Sequence, residues 1–182
     1  MTQIEIPLTL GDNFISFRAT STSSINEILT SSGIKGNISK FIKWDSIQQK
    51  EVQVAIDGTE YIDEGRGYYI YITAPGTIVY EGTEYSITFD QFRSRIVQGW
   101  NLLGTGKDVI VPQTWCRTID PITSLPIITL QPNHSYWVYY DDCIQPIASS
   151  VGSSSFAAIA ALGTILFTFY MLSKFGIGKR ID

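Results

Sequence analysis

The sequence predicts a mainly β protein: two small sandwich- or barrel-like β modules in tandem, followed by one C-terminal transmembrane α-helix. Three observations carry that expectation. Strand-favouring residues dominate, with 27 isoleucines and 13% aromatic residues against only 16% charged ones. Two passages share one order of apolar strand, glycine, asparagine and aromatic strand. From Cys143 to Ser173 there is no charged residue. The expected division is residues 1–90 and 91–146 as β modules, 147–155 as a Ser-rich hinge, and 156–182 as the membrane helix with a short basic tail.

The chain opens with Ile4, Ile6, Leu8 and Leu10 alternating with other residues, the period of a strand with one face buried. Met1-Thr-Gln-Ile-Glu-Ile-Pro7 has no basic region followed by an apolar one, so it does not read as a secretory leader. Ser24-Ile-Asn-Glu-Ile-Leu-Thr30 predicts a short helix. Ser24 is the N-cap, Glu27 sits at the third helical position, and Ile25, Ile28 and Leu29 share a face.

The first copy of the shared pattern runs Leu8-Thr-Leu-Gly-Asp-Asn-Phe-Ile-Ser16, with Ile62-Asp-Glu-Gly-Arg-Gly-Tyr-Tyr-Ile-Tyr-Ile72 downstream. The second runs Ile96-Val-Gln-Gly-Trp-Asn-Leu-Leu-Gly104, with Leu130-Gln-Pro-Asn-His-Ser-Tyr-Trp-Val-Tyr-Tyr140. Gly11, Gly67 and Gly99 are expected at φ > 0 in turns, and the side-chain amides of Asn13 and Asn101 are expected to bond turn backbone. Tyr68, Ile70 and Ile72 point to one face and Tyr69 and Tyr71 to the other, so this strand is expected to be central and covered on both sides. Pro75-Gly76 marks a turn before a strand from Thr77 to Tyr80.

Gly99-Trp-Asn-Leu-Leu-Gly104 and Tyr136-Trp-Val-Tyr139 resemble the Gly-Trp-Asn-Leu type β repeat module of prokaryotic, notably archaeal, surface and secreted proteins. The first copy departs from it at Asp12, where Trp is usual, while Phe41-Ile-Lys-Trp-Asp45 and Gly67-Tyr-Tyr-Ile70 fit. The resemblance covers residues 4–142 and implies a structural or adhesive β module without shared catalytic residues. Cys116 and Cys143 both fall in the second copy, either as a disulfide or as two buried thiols.

Composition excludes several function classes. A net charge of −4 argues against a basic nucleic-acid-binding domain, and one His with two Cys leaves little for a transition-metal site. No cofactor or metal is expected. Gly104-Thr-Gly-Lys107 lacks the phosphate-loop spacing and is followed by Asp108, so it reads as a turn. His134 has no nucleophile signature beside it. Asp63-Glu64 and Asp141-Asp142 lack the spacing of a calcium loop and read as solvated turn acids. Asn37-Ile-Ser39 and Asn133-His-Ser135 match the glycosylation triplet, a short and unspecific signal. No catalytic residue is assigned. Trp44, Trp115, Tyr69, Tyr71 and Tyr140 are the interface aromatics, able to stack on sugars or partner proteins, with core packing as the alternative.

The membrane anchor rests on Phe156, Ile159, Leu162, Ile165, Leu166, Phe167, Phe169, Tyr170, Met171 and Leu172. Residues 151–173 meet the roughly 20 residues that cross a hydrocarbon core. Lys174, Lys179 and Arg180 close the chain with interfacial cations. Ala157 and Ala161 lie four apart, the spacing of small residues at which membrane helices approach. Residues 1–146 carry ten basic and sixteen acidic groups, whereas 147–182 carry three and one. An acidic body therefore precedes a cationic tip.

These features point to a non-enzymatic, membrane-anchored structural or attachment protein. The absence of a leader would leave the body on the cytosolic side, while the positive-inside rule draws the basic tip there instead. Both are met by a virion membrane assembled inside a prokaryotic, notably archaeal, cell, with the body toward the capsid shell and the tip toward the genome. The alternatives are a cell-surface adhesion or envelope-layer protein with a single-pass anchor in the cell membrane and its modules outside, and a carbohydrate-binding module or small hydrolase. The expected partners are the lipid bilayer, protein neighbours in a shell or surface assembly, and other copies in a homo-oligomer. The β modules are expected to show no specific nucleic-acid binding, the basic tail only non-specific contact.

Overall fold

β1 (Thr2–Leu8) buries Ile4, Ile6 and Leu8 and turns its other side chains outward, the alternation its sequence dictates. Leu10 leaves this pattern and is exposed, because the chain turns at that point into β2 (Gly11–Ser16). In this computed structural model the described residues are 1–85, 96–111 and 117–141. They form a mainly β protein of several small sheets. Contacts group Met1–Cys143 into one compact unit.

β1 pairs antiparallel with β7 (Gly76–Glu84), whose far end pairs with the short β3 (Ala19–Thr20). A second sheet has the order β2-β6-β4-β5, with β4 Ile38–Asp45, β5 Lys50–Gln53 and β6 Gly67–Ile72. Tyr68, Ile70 and Ile72 of β6 share one core with Ile4, Ile6, Ile78 and Tyr80 of the first sheet. Tyr69 is buried on the opposite face, so β6 is central and covered on both sides.

α1 (Ile25–Ser31) starts where its cap dictates. Ser24 Oγ accepts the Glu27 N–H at 3.2 Å, and the Glu27 carboxylate accepts the Ser24 N–H at 2.7 Å. These bonds hold the Glu27 carboxyl below the usual carboxylate range. Ile25, Ile28 and Leu29 enter the core, each contributing roughly 1.5–3 kcal/mol of burial. Ser32 ends the helix and ties it to β7, donating to Ile28 O at 2.7 Å and accepting the Val79 N–H at 2.8 Å. A single 3-10 turn, Lys35–Asn37, leads into β4.

The second strand group is smaller. β8 (Gly99–Gly104), β10 (Arg117–Ile119) and β12 (Ser135–Tyr140) form a sheet of order β10-β12-β8. β9 (Val109–Ile110) pairs with β11 (Thr129–Leu130). Leu103, Tyr136, Val138, Leu130 and Ile96 make a core of their own. Gly104 ends β8 and β9 begins at Val109, so Gly104-Thr-Gly-Lys107 opens a bend between two strands and does not lead into a helix.

Among the described residues no helix is long and apolar enough to cross a membrane. The anchor residues from Phe156 to Arg180, with Ala157 and Ala161, lie outside the described residues, as do Cys116, Cys143 and Trp115.

Candidate functional site

Two strand pairs are built alike. In the first, Gly11, Asn13 and Ser16 of β2 face Ile72, Ile70 and Gly67 of β6. In the second, Gly99, Asn101 and Gly104 of β8 face Tyr140, Val138 and Ser135 of β12. Gly11 has φ +94° and Gly99 φ +101°, conformations that side-chain-bearing residues rarely adopt. The asparagines repeat one set of bonds. Asn13 Nδ2 donates to Thr9 O at 2.8 Å and Gly11 O at 3.0 Å, and its Oδ1 accepts the Thr9 N–H. Asn101 Nδ2 donates to Val97 O at 2.9 Å and Gly99 O at 3.0 Å, and its Oδ1 accepts the Val97 N–H. The Tyr68 hydroxyl accepts the Asp63 N–H, and the Tyr136 hydroxyl accepts the Gln131 N–H, each five residues back.

These two pairs face one another through an aromatic layer. The Trp44 and Trp137 rings meet edge-on at 5.1 Å, Trp100 meets Trp137 at 6.4 Å, and Trp100 lies 5.1 Å from Tyr139. Trp44 Nε1 donates to Trp100 O at 2.8 Å. The turn after β4 delivers Gln49, at φ 50°, to the same backbone. Its Oε1 accepts the Trp100 N–H at 2.9 Å and its Nε2 donates to Trp100 O at 2.9 Å. Gly104 N donates to Gly65 O at 3.0 Å, closing the other end of β8.

A cleft of about 320 Å³ opens beside this junction, lined by Ser46, Asp63, Gly65, Arg66, Leu102 and Leu103 among others. A neighbouring cleft of about 370 Å³ shares Ser46 and Arg66 and adds Lys43, Asp45 and Ile47. The charges that line both are engaged with protein. Arg66 Nε donates to Asp63 Oδ2 at 2.6 Å, its Nη1 donates to Trp44 O at 2.9 Å, and Lys43 pairs with Glu60. Asp45 Oδ1 accepts the Ile47 and Gln48 N–H groups of its own turn. Chemically the arrangement positions backbone and locks strands. Among the described residues no group of three His, Cys, Asp or Glu is placed to hold a metal.

The expected sites divide accordingly. Trp44 and Tyr69, expected as interface aromatics, are buried; Trp44 packs on Trp137, and Tyr69 packs on Phe14 while donating its hydroxyl to Asp12 at 2.6 Å. Burial, and then the Asp12 carboxylate, push the Tyr69 hydroxyl far above the ordinary phenol range. Tyr71 and Tyr140 are half-buried. His134 is exposed and takes part through its backbone oxygen, which accepts Ser16 Oγ at 2.9 Å. Ser135 is buried and donates to Tyr68 O at 3.2 Å, so the Asn133-His-Ser135 triplet is tied into the junction. Asp141 accepts Gln98 Nε2 at 2.7 Å; Asp142 lies outside the described residues. Gly67 does not adopt positive φ, as a turn would require; it is glycine because Ser135 and Leu102 press against it. The sequence does not mark Trp100, Trp137 and Gln49 as partners in one junction. Position 100 carried a signal, since it is the tryptophan of the Gly-Trp-Asn motif, but nothing local marks Gln49 as its partner.

A scan against protein-family models, a search of curated proteins and a search of solved structures each find no match.

Proposed function

We propose that the chain is a membrane-anchored, non-enzymatic structural or attachment protein. In this reading two tandem sandwich-like β modules are held to a bilayer by one transmembrane helix drawn from residues 151–173. Its setting is a virion component that links the membrane of a prokaryotic, notably archaeal, virus to its outer shell. The observation that carries the reading is the uncharged run from Cys143 to Ser173, separated from the aromatic strand ending at Tyr140 only by Asp141 and Asp142. The body supports it, because its clustered charges and tryptophans are engaged with one another. Proteomics of purified particles tests the setting: the protein is expected with the membrane fraction of the particle, and absence from particles overturns it.

One observation favours a second reading. Lys174, Lys179 and Arg180 are the charges that the positive-inside rule retains in the cytoplasm. With that orientation the modules stand outside a cell as an adhesion or envelope-layer protein. Protease treatment of intact cells removes the body in this case only.

A further inference from the structure

Ser16 and Gly104 end β2 and β8, while Gly67 and Ser135 begin β6 and β12. In the shared register Ser16 faces Gly67, and Gly104 faces Ser135, so position 16 corresponds to 104 and position 67 to 135. Across the junction each position meets its own counterpart. A Cβ on Gly104 would overlap the Ser16 side chain, and one on Gly67 would lie 2.5 Å from Ser135 Cβ. Counterparts that face each other are the mark of a two-fold, isologous contact. At both contacts one side is serine and the other glycine, in reversed order. Each serine also bonds backbone across the junction, Ser16 to His134 O at 2.9 Å and Ser135 to Tyr68 O at 3.2 Å.

We propose that this reversed serine–glycine pair is a pairing code, by which the aromatic face of the first strand group accepts the second group and refuses a like copy of itself. Two first groups meeting in this geometry would set Ser16 on Ser16, where there is room for one Cβ. They would also set Gly67 on Gly67, leaving a void and no hydroxyl for the backbone oxygen. Two second groups would set Ser135 on Ser135 and Gly104 on Gly104, with the same faults. Only unlike groups place one side chain at each contact. Among crowded copies of the chain this favours closure within each molecule over stacking between molecules, specificity obtained by penalising the wrong pair.

The test uses the full-length chain in one mild detergent and two double variants that share Gly104→Ser. Combined with Ser16→Gly, it moves the serine across its contact. The new Cβ lies 3.0 Å from Arg66 O, a close contact that the backbone eases by a few tenths of an ångström, and Arg66 O is the counterpart of the His134 O that accepts from Ser16. Combined with Ser135→Gly, it sets serine on serine at one contact and glycine on glycine at the other. The first variant is expected to melt within about 3 °C of the parent, and the second at least about 8 °C lower or not to fold. A difference between the two variants of less than about 3 °C, or the reverse order, overturns the proposal.

Discussion

Gln49 pairs with Trp100 as a strand would: its side-chain amide accepts the Trp100 N–H and donates to the Trp100 carbonyl, both at 2.9 Å. β8 lies at the edge of its sheet, and an open edge invites pairing with another chain. At Trp100 the Gln49 amide occupies that edge. Gln49→Ala is expected to lower stability by about 1–2 kcal/mol, and Gln49→Glu by more, because a carboxylate accepts the N–H but turns a second acceptor toward the carbonyl. Chemical denaturation of the three proteins checks the order.

Gly11 and Gly99 share a conformation but not surroundings. A Cβ on Gly11 meets nothing within 4 Å, whereas one on Gly99 lies 2.9 Å from the Gln49 amide. Gly11→Ala therefore carries only backbone strain, on the order of 1–3 kcal/mol. Gly99→Ala carries the same strain and displaces Gln49 as well. The two losses at the second site are coupled, so Gly99→Ala combined with Gln49→Ala is expected to cost less than the two single changes added. Strict additivity would show that the glycine does not act on the amide.

Local signals in the sequence were sufficient for elements whose causes are local. The capping box at Ser24 and Glu27 lies within four residues and is formed as its spacing predicts. The asparagine turns at Asn13 and Asn101 and the central position of β6 follow from short patterns as well. The junction was not legible, because its partners lie far apart in the chain: Trp44 with Trp137, Gln49 with Trp100, and Ser16 with His134. Trp44 and Tyr69 are residue types that suit an exposed recognition surface, yet Trp44 is covered by Trp137 of a second sheet and Tyr69 is buried against Phe14 of its own. Gly67 shows the same limit. Its sequence context reads as a turn, yet the need for glycine comes from Ser135, on a distant strand.

Asn101 is fully buried and Asn13 nearly so, and in each case the amide nitrogen feeds two backbone carbonyls. Asn101→Asp removes both donors and turns a carboxylate toward Val97 O and Gly99 O. The expected cost at neutral pH is about 2–4 kcal/mol, since buried acceptors are left unpaired beside a charge. Protonating the new carboxyl returns one donor, so the penalty relative to the parent should shrink as pH falls through the carboxylate range. A penalty independent of pH would show that the carboxyl is solvated and that the turn has opened.

Tyr68 and Tyr80 bring alkaline sensitivity to the first core. Burial raises both hydroxyls far above the ordinary phenol range, against the smaller opposing effect of the backbone bonds at Asp63 and Ala19. In the unfolded chain each ionises near pH ~10. A group whose folded value is raised contributes its stability in full below the unfolded value and loses it as pH rises toward the folded one. Stability should therefore hold up to about pH 10 and then fall, by at most about 1.4 kcal/mol per pH unit for Tyr68. Tyr68→Phe removes that titration while leaving the Asp63 N–H without its acceptor. The variant is expected to be less stable than the parent at neutral pH by about 1 kcal/mol, yet to lose stability less steeply above pH ~10. Denaturation midpoints and tyrosinate absorbance followed together from neutral to alkaline pH check this. Phenolate formation that precedes unfolding would show that the hydroxyl reaches solvent in the native fold.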